Sequence, residues 1–240
     1  MPLDINMYES NATYRSWVDN TFKFIEPNQN NGNLGLRKPQ LAALYITLGH
    51  LISAPDTPAT IVMPTGTGKS DTIFSLILAG RFPRTLIIVP SDALREQTAE
   101  SIATLKNLRD MKAIEVKVLS PSVKKLNSKL TLVEIKALEE FNVLIATPQA
   151  LQNLVEDEIE KLTQICSHLI IDEAHHIAAT TWNRIRKAFQ GKPCIQFTAT
   201  PFREDQKNLE GKIIYNYPLK DAQIDGYFQE IEFHPVREYQ

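Results

Sequence analysis

Six short apolar runs, separated by stretches long enough for helices, constrain this 240-residue chain more than any other feature. They span residues 60–63, 85–89, 116–119, 143–146, 168–171 and 194–197. Most are β-branched and apolar at consecutive positions, without alternation. Such strands are buried on both faces, as in a parallel sheet covered by helices. The segments between them have helical period. Leu41, Leu44, Tyr45 and Leu48 fall on one face, and Leu94, Ile102 and Leu105 on another behind Ser91 or Asp92 as a cap. Residues Lys69 to Ala79 are apolar nearly all round, and Gly80 stands where a helix would stop. The alternation predicts an α/β fold, a three-layer α/β/α sandwich with a mainly parallel sheet. Ligands of such sheets sit at the carboxyl ends of the strands, so the polar residues after each run matter most.

Composition narrows the class further. Hydrophobic residues make up 43%, enough for a substantial core, and the net charge is −2 from 26 basic and 28 acidic residues. A histone-like or tail-driven nucleic-acid binder is excluded, whereas binding along a local groove is not. Two cysteines, Cys166 and Cys194, give no disulfide framework and no cysteine zinc site. No apolar run reaches the roughly 18–20 residues of a membrane span, and residues 1–11 lack a signal layout. The expected location is cytoplasmic, without a membrane partner. Residues 1–35 read as an N-terminal extension: Tyr14, Trp17, Val18, Phe22 and Phe24 supply apolar material for one short helix, followed by a polar linker over 27–33.

After the first run comes Pro64-Thr65-Gly66-Thr67-Gly68-Lys69-Ser70. Two glycines let successive N–H groups curl around phosphate oxygens, and the following helix presents its positive end to the same anion. Lys69 can reach the outer phosphates, and the Ser70 hydroxyl can ligate Mg²⁺. Met63 stands where the strict phosphate-loop pattern wants glycine. After the fifth run comes Asp172-Glu173-Ala174-His175-His176. An aspartate closing a buried strand needs a partner, and a nucleotide-bound Mg²⁺ is one. Glu173 then stands where an attacking water is oriented or deprotonated. Read alone, the acidic pair is equally a helix cap. Thr198-Ala199-Thr200-Pro201 after the sixth run is, by itself, a capped strand end. Arg37 and Gln40 sit three apart on the first long helix, and a Gln amide can pair with an adenine edge. Between Lys106 and Lys129, seven basic residues face two acidic ones, a surface that suits a phosphate backbone or simply a solvated face.

In their order, Arg37-Lys38-Pro39-Gln40, residues 63–70 (MPTGTGKS), Val89-Pro90-Ser91 with Leu94 and Gln97, Ala146-Thr147-Pro148, residues 172–175 (DEAH) and Thr198-Ala199-Thr200-Pro201 resemble superfamily 2 helicases and translocases. The likeness is greatest to the bacterial DEAD/DEAH-box group that includes restriction-enzyme motor subunits, and covers roughly residues 35–235. The resemblance implies a RecA-like P-loop NTPase domain using ATP and Mg²⁺. In it, Gln40 with Arg37 recognises adenine, and Thr65, Gly66, Thr67, Gly68, Lys69 and Ser70 bind the triphosphate. Asp172 and Ser70 hold the metal, and Glu173 positions water. His175, Thr198 and Thr200 couple nucleotide state to motion, and Ser91 and Thr147 contact nucleic-acid phosphates. In the family's sheet, the strand ending at Thr198 lies between those ending at Met63 and Ile171, which puts Cys194 and Cys166 in neighbouring strands as reduced core residues.

The same resemblance implies a partner. Such motors need a second RecA-like domain, whose arginine reaches the transferring phosphate, and only 40 residues follow Thr200. The expected organisation is an extension over 1–35, the ATP-binding domain over 36–235, and the start of a connection onward over 236–240. Alone, the chain is expected to bind ATP·Mg and hydrolyse it slowly. Expected partners are nucleic acid, DNA in preference to RNA, the second domain, and a nuclease carried elsewhere in the parent assembly. The alternative is a nucleotide-gated binding module that switches without processive translocation. A small-molecule kinase fits poorly, because DEAH is the wrong acidic motif and no substrate lid is evident.

Overall fold

Strands of four apolar residues need cover on both faces, and helices on each side of one sheet supply it. The computed structural model describes residues 11–18, 35–127, 130–174, 179–200 and 211–228. In chain order the elements are α1 (Ala12–Val18), α2 (Lys38–Ser53), β1 (Ala59–Val62), α3 (Lys69–Ala79), β2 (Thr85–Ile88), α4 (Asp92–Thr104) and α5 (Lys106–Asp110). Next come β3 (Val123–Lys125), α6 (Leu132–Ala137), β4 (Val143–Ala146), α7 (Pro148–Gln152), α8 (Glu156–Ile165) and β5 (His168–Ile171). The described chain continues with α9 (Ala179–Ala188), β6 (Cys194–Thr198), β7 (Lys212–Asn216) and α10 (Leu219–Ile224). The seven strands form one sheet in the order β3-β4-β2-β5-β6-β1-β7, parallel at every pairing.

The two-residue period of each strand splits the core into two layers. Ile61, Ile87, Ile145, Ile170, Ile195 and Phe197 face α1 to α5 and α10, where they meet Trp17, Leu44, Leu76 and Ile102. Leu86, Ile88, Leu144, Leu169 and Ile171 face α6 to α9 and meet Ile135, Leu151, Leu162 and Ile185. Each fully buried Leu or Ile contributes about 1.5–3 kcal/mol, so these alternating residues hold the three layers together. Among the described residues, no helix is long and apolar enough to cross a membrane.

The predicted strand over 116–119 does not form. Val116 is 97% exposed there, and only Val118 turns into the core. The backbone of this segment is committed to the N-terminal helix instead. Leu119 N–H donates to Ser16 Oγ (3.0 Å), and Leu119 C=O accepts from Trp17 Nε1 (2.9 Å). The edge strand is β3, brought beside β4 where Ser122 N–H and Oγ both donate to Asn142 Oδ1. Its Lys124 and Lys125 make a charged edge that discourages further strand pairing. Trp17, 2% exposed, makes α1 part of the domain core rather than a free extension. Cys194 opens β6 as expected. Cys166 follows α8, one residue short of the segment that becomes β5, and is not itself in a strand. Burial pushes both thiols up to about 12, so they stay protonated and unreactive.

The amino-terminal rim of the sheet is fastened by cations on carbonyls. The Arg84 guanidinium donates to the carbonyls of Phe141 (2.8 Å), Ile165 (2.8 Å) and Glu139. Lys192 Nζ donates to those of Thr163, Gln164 and Cys166 at the end of α8. Beside them, the His168 ring stacks on Phe82 with centroids 3.5 Å apart. Burial, with the Lys192 charge adding, pushes His168 down to about 3. The unfolded chain therefore takes up a proton near pH 6.5 that the fold refuses until about pH 3. Stability is complete above pH 6.5 and falls through that window. Urea unfolding at pH 7.5 and pH 5 is expected to lose about 1–2 kcal/mol less in His168→Phe than in the unaltered chain.

Candidate nucleotide-binding site

Three adjacent strands deliver the site. β5, β6 and β1 run side by side with Val62 opposite Thr198 and Ile171 opposite Gln196. Their carboxyl ends are therefore nearly level. The order matches the expectation that the strand ending at Thr198 lies between the other two.

At the end of β1 the chain turns through Gly66 (φ +88°) and Gly68 (φ +93°), both left-handed conformations that a side chain would strain. Thr67 closes the turn, its hydroxyl donating to Pro64 C=O at 2.6 Å. Gly68 is also the cap of α3, whose first-turn N–H groups point into the loop. Thr65, Gly66 and Ser70 are exposed on the outer side of this turn, while Thr67 and Lys69 are buried. The loop thus has the concave backbone and positive helix end that suit a phosphate.

Lys69 is folded inward. Its Nζ lies 2.6 Å from Glu173 Oε1 and 3.4 Å from Met63 C=O. Glu173, at φ +51°, holds a backbone conformation uncommon for a side-chain residue. Its other oxygen accepts from Ala199 N–H at 3.4 Å. One carboxylate therefore touches both the phosphate loop and the segment after β6. In that segment Thr198 Oγ1 donates to Thr200 C=O (2.6 Å) and accepts from Thr200 N–H (3.2 Å), so the two threonines form one closed turn. Asp172 stands beside Glu173. Burial pushes its carboxyl up to about 6, the Glu173 charge adds to this, and Lys69 works against it. An ionised Asp172 is thus under-compensated, and its carboxylate and the exposed Ser70 hydroxyl are hard oxygen donors of the kind that Mg²⁺ takes. His175 lies outside the described residues.

Gln40 is 1% exposed and occupied by the loop itself. Its Oε1 accepts from Arg37 N–H (2.7 Å), and its Nε2 donates to Gly68 C=O (3.1 Å). Beyond it, burial raises the Asp71 carboxyl and a hydrogen bond from Asn107 (3.1 Å) pulls it back. Arg37 Nη1 donates to Gly66 C=O at 2.9 Å. Sequence reasoning missed the other wall of this corner. The Arg37 guanidinium lies 5.2 Å from the Tyr227 ring centroid, and Phe228 lies against Gly66, where a Cβ would meet its ring at 3.3 Å. No motif marks these aromatics, which arrive from 190 residues away through β7 and α10.

Ser91 and Thr147 follow β2 and β4, on the far side of β5 from the loop. Each caps a helix: Ser91 Oγ accepts from Leu94 N–H and Thr147 Oγ1 from Ala150 N–H, both at 3.3 Å. Ser91 is exposed, and Thr147 is buried. Much of the basic segment is paired locally: Lys106 with Asp110, Lys117 with Glu115, Lys125 with Glu96. It reads as a solvated, internally neutralised face.

A family model described as Type III restriction enzyme, res subunit, matches residues 33–203, and the chain belongs to this family. It is a superfamily 2 helicase-like ATP-binding motor domain with the RecA-like fold. The fold is similar to that of the UvsW helicase from bacteriophage T4, at TM-score 0.54 and 17% identity over 84% of this chain. It is also similar to the Type ISP restriction-modification enzyme LlaGI, at TM-score 0.56 and 19% identity over 80% of the chain. A putative HsdR subunit of a type I restriction enzyme from Vibrio vulnificus YJ016 gives TM-score 0.53 and 20% identity over 79%. The chain spans 66%, 20% and 32% of the lengths of these three. A comparison with curated proteins gives no match.

Gly68 is doubly constrained. A Cβ there would stand 2.1 Å from Gln40 Nε2, on a φ of +93°. Gly68→Ala is expected to lower stability by about 1–3 kcal/mol in denaturant unfolding. Adding Gln40→Ala should not restore it, because the backbone strain remains after the clash is gone.

Proposed function

We propose that the chain is the ATP-hydrolysing domain of a DEAH-type DNA helicase or translocase, working with Mg²⁺ and completed by a second RecA-like domain. The observation that carries this reading is the 2.6 Å pair between Lys69 Nζ and Glu173 Oε1, which joins the phosphate loop to the acid after β5. A triphosphate on the loop competes for Lys69, and Glu173 is released as Lys69 turns to the phosphates. Glu173 then accepts a proton from, or orients, the attacking water. Ser70 and Asp172 are the residues that would hold Mg²⁺, which neutralises phosphate charge when bound. The raised Asp172 carboxyl supports this, because a cation beside it removes the cost of its ionisation.

The same carboxylate gives a route for coupling. Glu173 meets Lys69 with one oxygen and Ala199, between Thr198 and Thr200, with the other, so the loss of Lys69 is proposed to be felt in that segment. Those two residues, with His175, are proposed to pass nucleotide state onward. Ser91 and Thr147 are proposed to face DNA phosphates along the β2 and β4 ends. The Thr147 hydroxyl serves its helix cap, so its part is to shape that loop. The reading favours DNA because the LlaGI structure is of a nuclease-deletion mutant with a DNA substrate mimic. A nuclease in another domain or subunit is part of the same proposal. The proposed organisation keeps residues 36–235 as the motor domain. An arginine from the second domain is typically worth about 10³–10⁵ in rate, so this chain alone should turn over slowly.

Two substitutions test the reading. Lys69→Ala should weaken Mg·ATP binding at least about tenfold in calorimetry, through loss of a charge-assisted phosphate contact. Glu173→Gln should keep binding and lower turnover by about 10²–10⁴ in a chain joined to its second domain. ATP affinity indifferent to Lys69, or hydrolysis that survives Glu173→Gln, would sink the assignment.

A further inference from the structure

Away from the phosphate loop, a cleft of about 650 Å³ opens beside the amino-terminal rim of the sheet. One wall is the end of α9, with Asn183, Arg186, Lys187 and Gln190, followed by Gly191. The other is the loop between α2 and β1, which contributes Asp56. The cleft therefore lies ahead of β1 and β6, at the opposite ends of those strands from the candidate nucleotide site. Its size falls within the roughly 300–1,000 Å³ of small-molecule sites.

Arg186 is the residue here that the fold does not account for. It is half-buried, and its Nε is shut off from solvent without an acceptor. It makes no hydrogen bond or ion pair among the described residues. The nearby cations behave differently. Arg184 pairs with Glu156 and donates to the carbonyls of Gln152 and Leu154, and Lys192 holds three carbonyls at the end of α8. A cation in the last turn of a helix complements the helix dipole. That accounts for a charge at the end of α9, but not for a buried donor left without an acceptor, which is costly. The Arg186 charge also acts on the Cys194 thiol, so the guanidinium lies close to the start of β6.

A planar guanidinium matches the two oxygens of a carboxylate or phosphate. Two features select the carboxylate. The negative end of α9 and the Asp56 side chain both oppose a dianion. A ligand that spans the cleft meets two cations, Arg186 and Lys187, on one wall and the Asp56 carboxylate on the other. Such a ligand carries charges of both signs. We propose that this cleft binds a small zwitterion of the amino-acid class, with its carboxylate on Arg186 and its ammonium toward Asp56. The Asn183 and Gln190 amides supply hydrogen bonds to its polar body. Bound there, it joins the loops that precede β1 and β6, the strands that lead to the phosphate loop and to Thr198.

The test follows chemical shifts of the full 240-residue chain, reading the Arg186 Nε–H resonance, which is assigned by its absence from Arg186→Gln. The probes are glycine, 4-aminobutyrate and 6-aminohexanoate, which hold the two charges at increasing separations. Acetate and butylamine are the single-charge controls and inorganic phosphate is the dianion, all at one ionic strength. At least one zwitterion should bind at least about tenfold tighter than acetate, butylamine or phosphate. Arg186→Gln and Asp56→Asn should each erase that advantage. Arg186→Lys, which keeps the charge without the planar fork, should lose most of it. Neither Arg186→Gln nor Asp56→Asn should lower the melting temperature of the free chain, because neither removes a contact among the described residues. The proposal is overturned if no zwitterion outdoes the controls, if phosphate binds best, or if the advantage survives either substitution. A melting temperature lowered by several degrees in Arg186→Gln would make Arg186 a support of the fold, and would overturn it equally.

Discussion

The level ends of three parallel strands are the constraint on which everything at the site depends. With β6 between β5 and β1 in continuous register, Asp172, Glu173, Thr198 and the phosphate loop emerge on one rim. That register is fixed by burial on both faces. A one-residue slip in any of these strands would exchange its two sets of side chains between the two core layers. The geometry of the candidate site is thus set by packing well away from its polar groups.

The rim itself is less comfortable than the core beneath it. Lys69 and Glu173 pair where little water reaches either, and Asp172 adds a second carboxylate beside them. Desolvation of such a cluster offsets much of its attraction. Glu173 also holds a positive φ, and two glycines hold the loop in left-handed turns. Arg81, Leu105 and Lys112 also hold positive φ, at turns elsewhere, but at the rim these costs fall on residues of the candidate site itself. Strain so distributed is typical of a site pre-shaped for a ligand that completes it.

Much of this was legible in the sequence because it is local. The strand–loop–helix order around Lys69, the Gly80 stop, the Ser91 cap and five of the six apolar runs each follow from a few consecutive residues. What escaped is long-range. Residues 116–119 have strand-like composition, yet Trp17 and Ser16 of α1 claim the backbone of Leu119. Gln40 has the right chemistry for an adenine edge, but its proximity to Gly68 is set by how α2 lies on α3. Tyr227 and Phe228 meet the loop only through the path of β7 and α10. Cys166 missed its strand because a helix cap occupies the position. Periodicity reports which face of an element is buried, and says nothing of what distant side chain will spend its hydrogen bonds.

The opposite rim of the sheet has its own logic. There Arg84 and Lys192 hold backbone carbonyls and not carboxylates, so no incoming anion takes the place of a partner carboxylate. Three strands and one helix end are bolted together by these hydrogen bonds. The molecule therefore has a fixed chassis on one side and an exchangeable set of contacts on the other. If Lys69 and Glu173 exchange partners as proposed, that change is made against a stationary frame.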